Sequence, residues 1–367
     1  MSYVKYLLDF ANEFIKEAEI DLIVAEKLLS DLDLSKCESD EIVFGIGRRA
    51  LYSLQQASEK AIKALILVYF KPMLHITVST GEERGPATSY CKISVKRLKR
   101  LEKLFDPEKI GHLPALALIC LTNETIKLKD SIARRILTSL RKLGRLLRMD
   151  EDELEQDIKK GLDIFLGILN LEPKIREEIE YICSAWEQRD QKKVMSKLRY
   201  FIPCIEYRLE TLAKLRAIRI DERTLSKSHS FLSKINKILE DVKKSPSLAE
   251  ALGSKEKAEK VADAILKWFK FMKDSIPSIN HIIAHAFTIS ICLWVYQSIS
   301  RYPRDAKSVI DVYVKRNEIC RDVKSVAKLV DEVKTLVSQV RSLIENISPR
   351  LLELESALQT IPSNHNQ

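Results

Sequence analysis

Along residues 3 to 30 the apolar side chains Leu7, Phe10, Phe14, Ala18, Leu22, Ala25 and Leu29 return every third or fourth position. A half-buried strand would place them at every second position, so this stretch buries one continuous face only as an α-helix. The same period governs most of the chain. Helices are expected over 41 to 70, ended by Pro72, and over much of 94 to 220 with breaks near Pro107, Pro114, Pro173 and Pro203. Others are expected at 225 to 244, 255 to 273, 278 to 300 and 317 to 358, with the connector SPSLAEALGSKEK before the last three. Only 9 Gly and 11 Pro interrupt 367 residues, and long stretches consist of Leu, Ala, Ile, Glu, Lys and Arg, which lose little on entering a helix. The expected class is all-α.

One region departs from this pattern. HITVST and YCKISV alternate with period two around the turn-rich GEERGPATS, which suits a short β-hairpin near 75–96. No fixed-period repeat emerges, so a solenoid is not supported. The length suits two domains. Seven cysteines, at 37, 91, 120, 183, 204, 292 and 320, are widely spaced with no C-x-x-C, and free buried thiols in a reducing cytoplasm are expected. The N-terminus lacks a basic segment followed by an uninterrupted apolar run, so no secretory signal is read there. IIAHAFTISICLWVYQSI, 282 to 299, is barely long enough to span a bilayer and carries His285 and Gln297; a buried bundle helix explains it better, and no membrane association is expected.

Charge is segregated. Between Arg84 and Arg148 stand 16 Lys and Arg against 5 Asp and Glu, a net +11, while the whole chain carries +9 and the remainder therefore −2. Within SIARRILTSLRKLGRLLRMD, Ile132, Ile136, Leu140, Leu143 and Leu147 form an apolar stripe, and Arg134, Arg141, Arg145 and Arg148 fall opposite with Lys142 beside them. Guanidinium groups in such a row suit repeated phosphates, each contact bidentate and each releasing a counterion. Upstream, Lys96, Arg97, Lys99, Arg100 and Lys103 extend the basic stretch. Two other readings stand beside nucleic-acid binding: a solvated face neutralised by the acidic DEDELEQD that follows, and a protein or membrane surface. Aromatic residues are scarce here, so stacking on bases is not expected to dominate.

The helix expected at 41 to 70 has Ala50, Ala57, Ala61 and Ala64 on one side, small enough for a neighbouring helix to approach closely, with Leu51, Leu54, Leu65 and Val68 on the flanks. Glu59 and Lys63 form an i,i+4 pair of favourable orientation. A bundle helix with a solvated charged edge accounts for all of these residues. The wording QQASEKAIKAL, 55 to 65, also resembles the hallmark helix of the HEPN (higher eukaryotes and prokaryotes nucleotide-binding) family, Gln-Gln-Ala-Ala-Glu-Lys-Ala-Leu-Lys-Ala-Leu, and AEIDLIVAEKLLSD, 18 to 31, resembles that family's first helix. SHSFLSKINKIL, 228 to 239, is similar to the start of its third helix, with Ser228 for Thr and Ser230 for Asp. SRYPRDA, 300 to 306, is similar to its Thr-Arg-Tyr-Pro-Asp segment, with Arg304 intruding before Asp305. The resemblance implies an up-down helical bundle built from 1–74 and 225–345, a basic helical insertion at 75–224, and a C-terminal helix end with a disordered tail at 346–367. It further implies binding of RNA or nucleotides, homodimers, and a minimal nucleotidyltransferase as partner in a toxin–antitoxin pair, without a cofactor. A helical scaffold that binds only protein is the alternative of another class.

Ribonucleases of the HEPN class carry Arg-x(4–6)-His, and Arg223-x5-His229 in ERTLSKSH matches that spacing. The pair suits endoribonuclease chemistry: guanidinium steadies phosphate charge and imidazole moves a proton near neutral pH. With 23 Arg and 6 His in the chain, an accidental match of this spacing is expected. INHIIAHAF, 279 to 287, resembles the family's Arg-Asn-x-x-x-His-x-Tyr form through Asn280 and His285, although four residues instead of three separate them, Ile279 stands where the phosphate-binding arginine would be and Phe287 where Tyr would be. His281 and His285 have a metal-compatible spacing, yet no carboxylate or thiol nearby in sequence completes a set, so core histidines are preferred over zinc. No P-loop, G-x-G-x-x-G, G-x-S-x-G or H-E-x-x-H motif occurs.

Overall fold

The computed structural model describes residues 2–72, 253–301 and 316–359, together with the single positions 181, 184, 233 and 240. These are helical almost throughout, and no strand occurs among them. The hairpin expected near 75–96 and the insertion limits at 75 and 224 lie outside the described residues.

Helix α1, Tyr3–Leu29, starts at Ser2, whose hydroxyl accepts the Lys5 amide at 3.1 Å. A 3₁₀ turn, Leu34–Glu38, occupies the acidic gap, its entry held by the Asp33 side chain accepting from the Ser35 amide. Helix α2, Glu41–Leu65, begins at Asp40, whose Oδ1 accepts from Ile42 at 2.8 Å and Val43 at 3.2 Å. Such side-chain acceptors satisfy amides that have no partner inside the helix. The expected run to residue 70 is continuous, but its last turn, Ile66–Phe70, widens to π geometry, with the Lys71 amide bonded back to Ile66 O.

Helix α3 is a single element, Lys255–Arg301, where a break was expected between 273 and 278. It passes through Pro277, and residues on both sides of that position sit in the core, from Trp268 to Ile279, Ile282 and Ile283. Burial along the helix outweighs the hydrogen bond that proline removes. Gly253, at φ +76, makes the left-handed turn before the helix, and the Ser254 hydroxyl caps it by accepting from Lys257. The closing helix expected over 317 to 358 is divided instead: α4, Arg316–Lys324, and α5, Val326–Gln359, meet at Ser325.

Four long helices form a ring in which α1 packs on α2, α2 on α3, α3 on α5 and α5 on α1, with α2 and α5 also touching across it. Cross-helix pairs fix the directions. Lys60 of α2 meets Asp21 and Glu17 of α1 while Lys63, further along α2, lies against Phe14, further back on α1, so these two run antiparallel. Glu19 and Glu26 of α1 meet Arg341 and Lys334 of α5, and Lys267 and His285 of α3 meet Glu353 and Glu332, so α5 opposes both α1 and α3. The order α1, α2, α3, α5 is therefore up-down-up-down. One core joins the chain's two ends: Leu7 and Ile15 of α1, Leu54 of α2, Ile289 of α3 and Leu336 of α5 belong to the same buried cluster.

The expectation that the cysteines are free thiols is corrected at one place. Cys37, in the 3₁₀ turn, and Cys320, in α4, are disulfide-bonded with Cα atoms 5.5 Å apart across 283 positions of sequence. Both lie in the core, where packing of the turn on α4 brings together residues that no spacing rule connects. Cys292 of α3 is a buried free thiol. Beside the bond, α2 and α4 approach so closely that a Cβ on Gly47 would lie 2.5 Å from Val323 Cγ1. Among the described residues, no helix is long and apolar enough to cross a membrane.

Candidate functional site

Two polar constellations named by the sequence fall within the described residues. The first is the polar row of α2. A solvated edge was expected there, but Gln55, Ser58 and Glu59 are buried, and the row faces protein. Gln55 Nε2 donates to Glu59 Oε2 at 2.9 Å, Lys63 Nζ pairs with Glu59 Oε1 at 2.9 Å, and Gln56 donates to Gln55 Oε1. Both Glu59 carboxylate oxygens thus have donors, which a buried carboxylate requires. Lys63 also lies 5.7 Å from the centre of the Phe14 ring of α1.

Next to this row, Lys60 bridges to Asp21 at 2.7 Å and Glu17 at 3.1 Å. Burial works against its charge, but the two carboxylates outweigh that, and its pKa lies above the ordinary 10.5. Further along, burial pushes the Tyr69 phenol up from its ordinary value, so it stays neutral. The hallmark-like stretch is consequently a seam whose polar groups answer one another. It presents no open row of donors to a ligand.

The second constellation lies between α3 and α5. His285 is fully buried; its Nε2 is 2.9 Å from Glu332 Oε2 and its Nδ1 3.1 Å from Gln339 Oε1. Glu332 and Gln339 are seven positions apart, two turns of α5, and hold the imidazole from either side. With two oxygen acceptors the ring serves both only by carrying a proton on each nitrogen, or by rotation of the Gln339 amide to offer its NH₂. Ile279, standing where the resemblance would put arginine, is also fully buried. His281 lies beside His285 with ring centres 6.4 Å apart. Because Glu332 and Gln339 occupy both nitrogens of His285, the i,i+4 pair is not arranged around a shared ion. Among the described residues no group of three His, Cys, Asp or Glu converges on a metal position. This constellation is a packing seam around a fully buried imidazole, with Glu332 partly exposed at its edge.

Sequence reasoning missed Glu332 and Gln339 as the partners of His285. The available signal was weak: two polar residues seven apart on α5, flanking the apolar Val333, Leu336 and Val340. The remaining candidates, Arg223 and His229, Lys96, Arg97, Lys99 and Arg100, and Arg134, Arg141, Lys142, Arg145 and Arg148, lie outside the described residues. No family model, curated protein or solved structure matches the chain.

Proposed function

We propose that this chain is a HEPN-like helical protein that binds RNA or nucleotides through its basic stretch, residues 84 to 148, with the four-helix bundle as the support. The observation that carries the reading is the placement of α2. The helix with the hallmark-like wording packs on α1, α3 and α5, so chain-distant helices complete one bundle, and the net +11 stretch falls in the sequence inserted between them. A segment so basic, in a chain otherwise near neutral, has the electrostatic make-up of a phosphate-binding surface. Homodimers and a minimal nucleotidyltransferase partner belong to the same proposal, as does a cytoplasmic location. The Cys37–Cys320 bond sets a condition on that location, because such bonds persist in oxidising compartments or in intracellular proteins of hyperthermophiles.

Filter binding of the full chain with total RNA at two salt concentrations tests the reading. Binding is expected to weaken steeply with salt, and Arg141→Glu/Arg145→Glu is expected to weaken it by about tenfold or more. Equal binding by that variant, or none at low salt, overturns the proposal. In the enzymatic version Arg223 clamps phosphate and His229 moves the proton; RNA cleavage that survives His229→Ala eliminates the pair. A protein-contact role is favoured by one observation, the exposed Ile20, Ile23 and Val24 on one side of α1 with Ile42 at the start of α2.

A further inference from the structure

Helix α4 is nine residues long, too short to persist in water without tertiary support. Its attachment is concentrated on one side. Ile319 and Val323 are buried, Val323 against Gly47 of α2, and Lys324 reaches Glu38 of the 3₁₀ turn at 3.0 Å. That ion pair is largely exposed and contributes little. Cys320 is covalently bonded to Cys37 of the same turn. At Ser325 the helical run is interrupted, so α4 and α5 are not one rigid rod. Among the ties described, the covalent one alone responds to redox conditions.

We propose that the Cys37–Cys320 pair is a redox latch: oxidised, it holds α4 on the turn between α1 and α2, and reduced, it lets α4 leave the bundle while α1, α2, α3 and α5 stay packed. The step is thiol–disulfide exchange with a dithiol reductant. One thiolate of the reductant attacks a sulfur, the Cys37–Cys320 bond breaks and a mixed disulfide forms; the second thiolate then resolves it. Two electrons and two protons pass to the cysteines, and the reductant leaves as its own disulfide. Both cysteines are fully buried, so attack follows local opening of α4, and α4 in its released state leaves both thiols open to reagents. The long helices do not depend on the bond in the same way, because their seams run over many turns, whereas the nine-residue α4 joins the shared core through Ile319, Cys320 and Val323.

Limited trypsin digestion of the full chain, followed by mass spectrometry, tests the latch with and without dithiothreitol. Cleavage after the exposed Arg321 is expected to speed up by about tenfold or more on reduction, while cleavage after Lys16 and Lys334 on α1 and α5 stays unchanged. Oxidised glutathione added after removal of the reductant restores the slow rate. Cys37→Ser/Cys320→Ser should behave like reduced protein without any reductant, and Cys292→Ser should leave the response intact. Should the double serine variant lose its helical circular dichroism, the oxidised and reduced wild-type protein carries the comparison. Unchanged cleavage after Arg321 overturns the latch, as does a parallel rise at all three sites, which would mark the bond as a general staple. Alkylation of Cys37 and Cys320 in the unreduced protein overturns it as well.

Discussion

Glu59 with Lys63 on α2, and Glu26 of α1 with Lys334 of α5, are the same chemical pair in two settings. In the first, side-chain exposures are 5% and 13%; in the second they are 38% and 63%. On the rim, water solvates both groups when the pair opens, so the contact is worth little. In the α2 seam the alternative is a buried charge without its partner. The lesson concerns removal. A buried pair shows its importance when half of it is deleted, whereas a rim pair serves alignment, here of α1 against α5.

Glu59→Ala breaks the comparison most directly. It should lower the unfolding free energy by about 3 kcal/mol, read from the urea midpoint, since Lys63 and Gln55 lose their acceptor. A cost below about 1 kcal/mol would place Glu59 in the same class as the rim. His285→Ala extends the test to the other seam. It leaves Glu332 and Gln339 without the imidazole and opens a cavity, for an expected loss of about 2 kcal/mol by the same measurement.

Lys60 is the intermediate case. Its pKa is raised in the folded state, so its stabilising contribution is complete below the ordinary value of 10.5 and disappears as pH rises through the folded value. The stability difference between wild type and Lys60→Met should therefore shrink on titration into strong alkali, and a difference that stays constant there would deny the pairing with Asp21 and Glu17. The smallest effect belongs to Glu26→Ala, at about 0.5 kcal/mol or less, further reduced by added salt.

Local periodicity carried most of what could be read in advance. Leu7, Ala18 and Leu22 of α1 are core residues at the spacing that announced the helix, and α1 ends one residue from the expected boundary. The break expected near Pro277 is absent, because proline is a local signal and the burial that carries α3 through it is not. Ser325, with no proline or glycine beside it, offered no local cue to a break. Gln55 and Glu59 look like a wet edge in sequence; only the assembled bundle covers them. The bond between Cys37 and Cys320 was illegible for the same reason, since 283 positions separate its ends. Of the site candidates, His285 was correctly read as a core histidine, while its acceptors on α5 were invisible without the register of two helices.

The shared core of α1, α2, α3 and α5 has a consequence for how the chain is made. Between Leu65 and Lys255 lie 189 residues, so at ~5–20 residues per second the first two helices leave the ribosome on the order of ten to forty seconds before the third begins to follow. Throughout that interval α2 is without α3 and α5, the two late long helices that pack on it in the finished bundle. Nascent chains of this protein should accordingly lean on a holding chaperone, most of all while the inserted sequence is being translated.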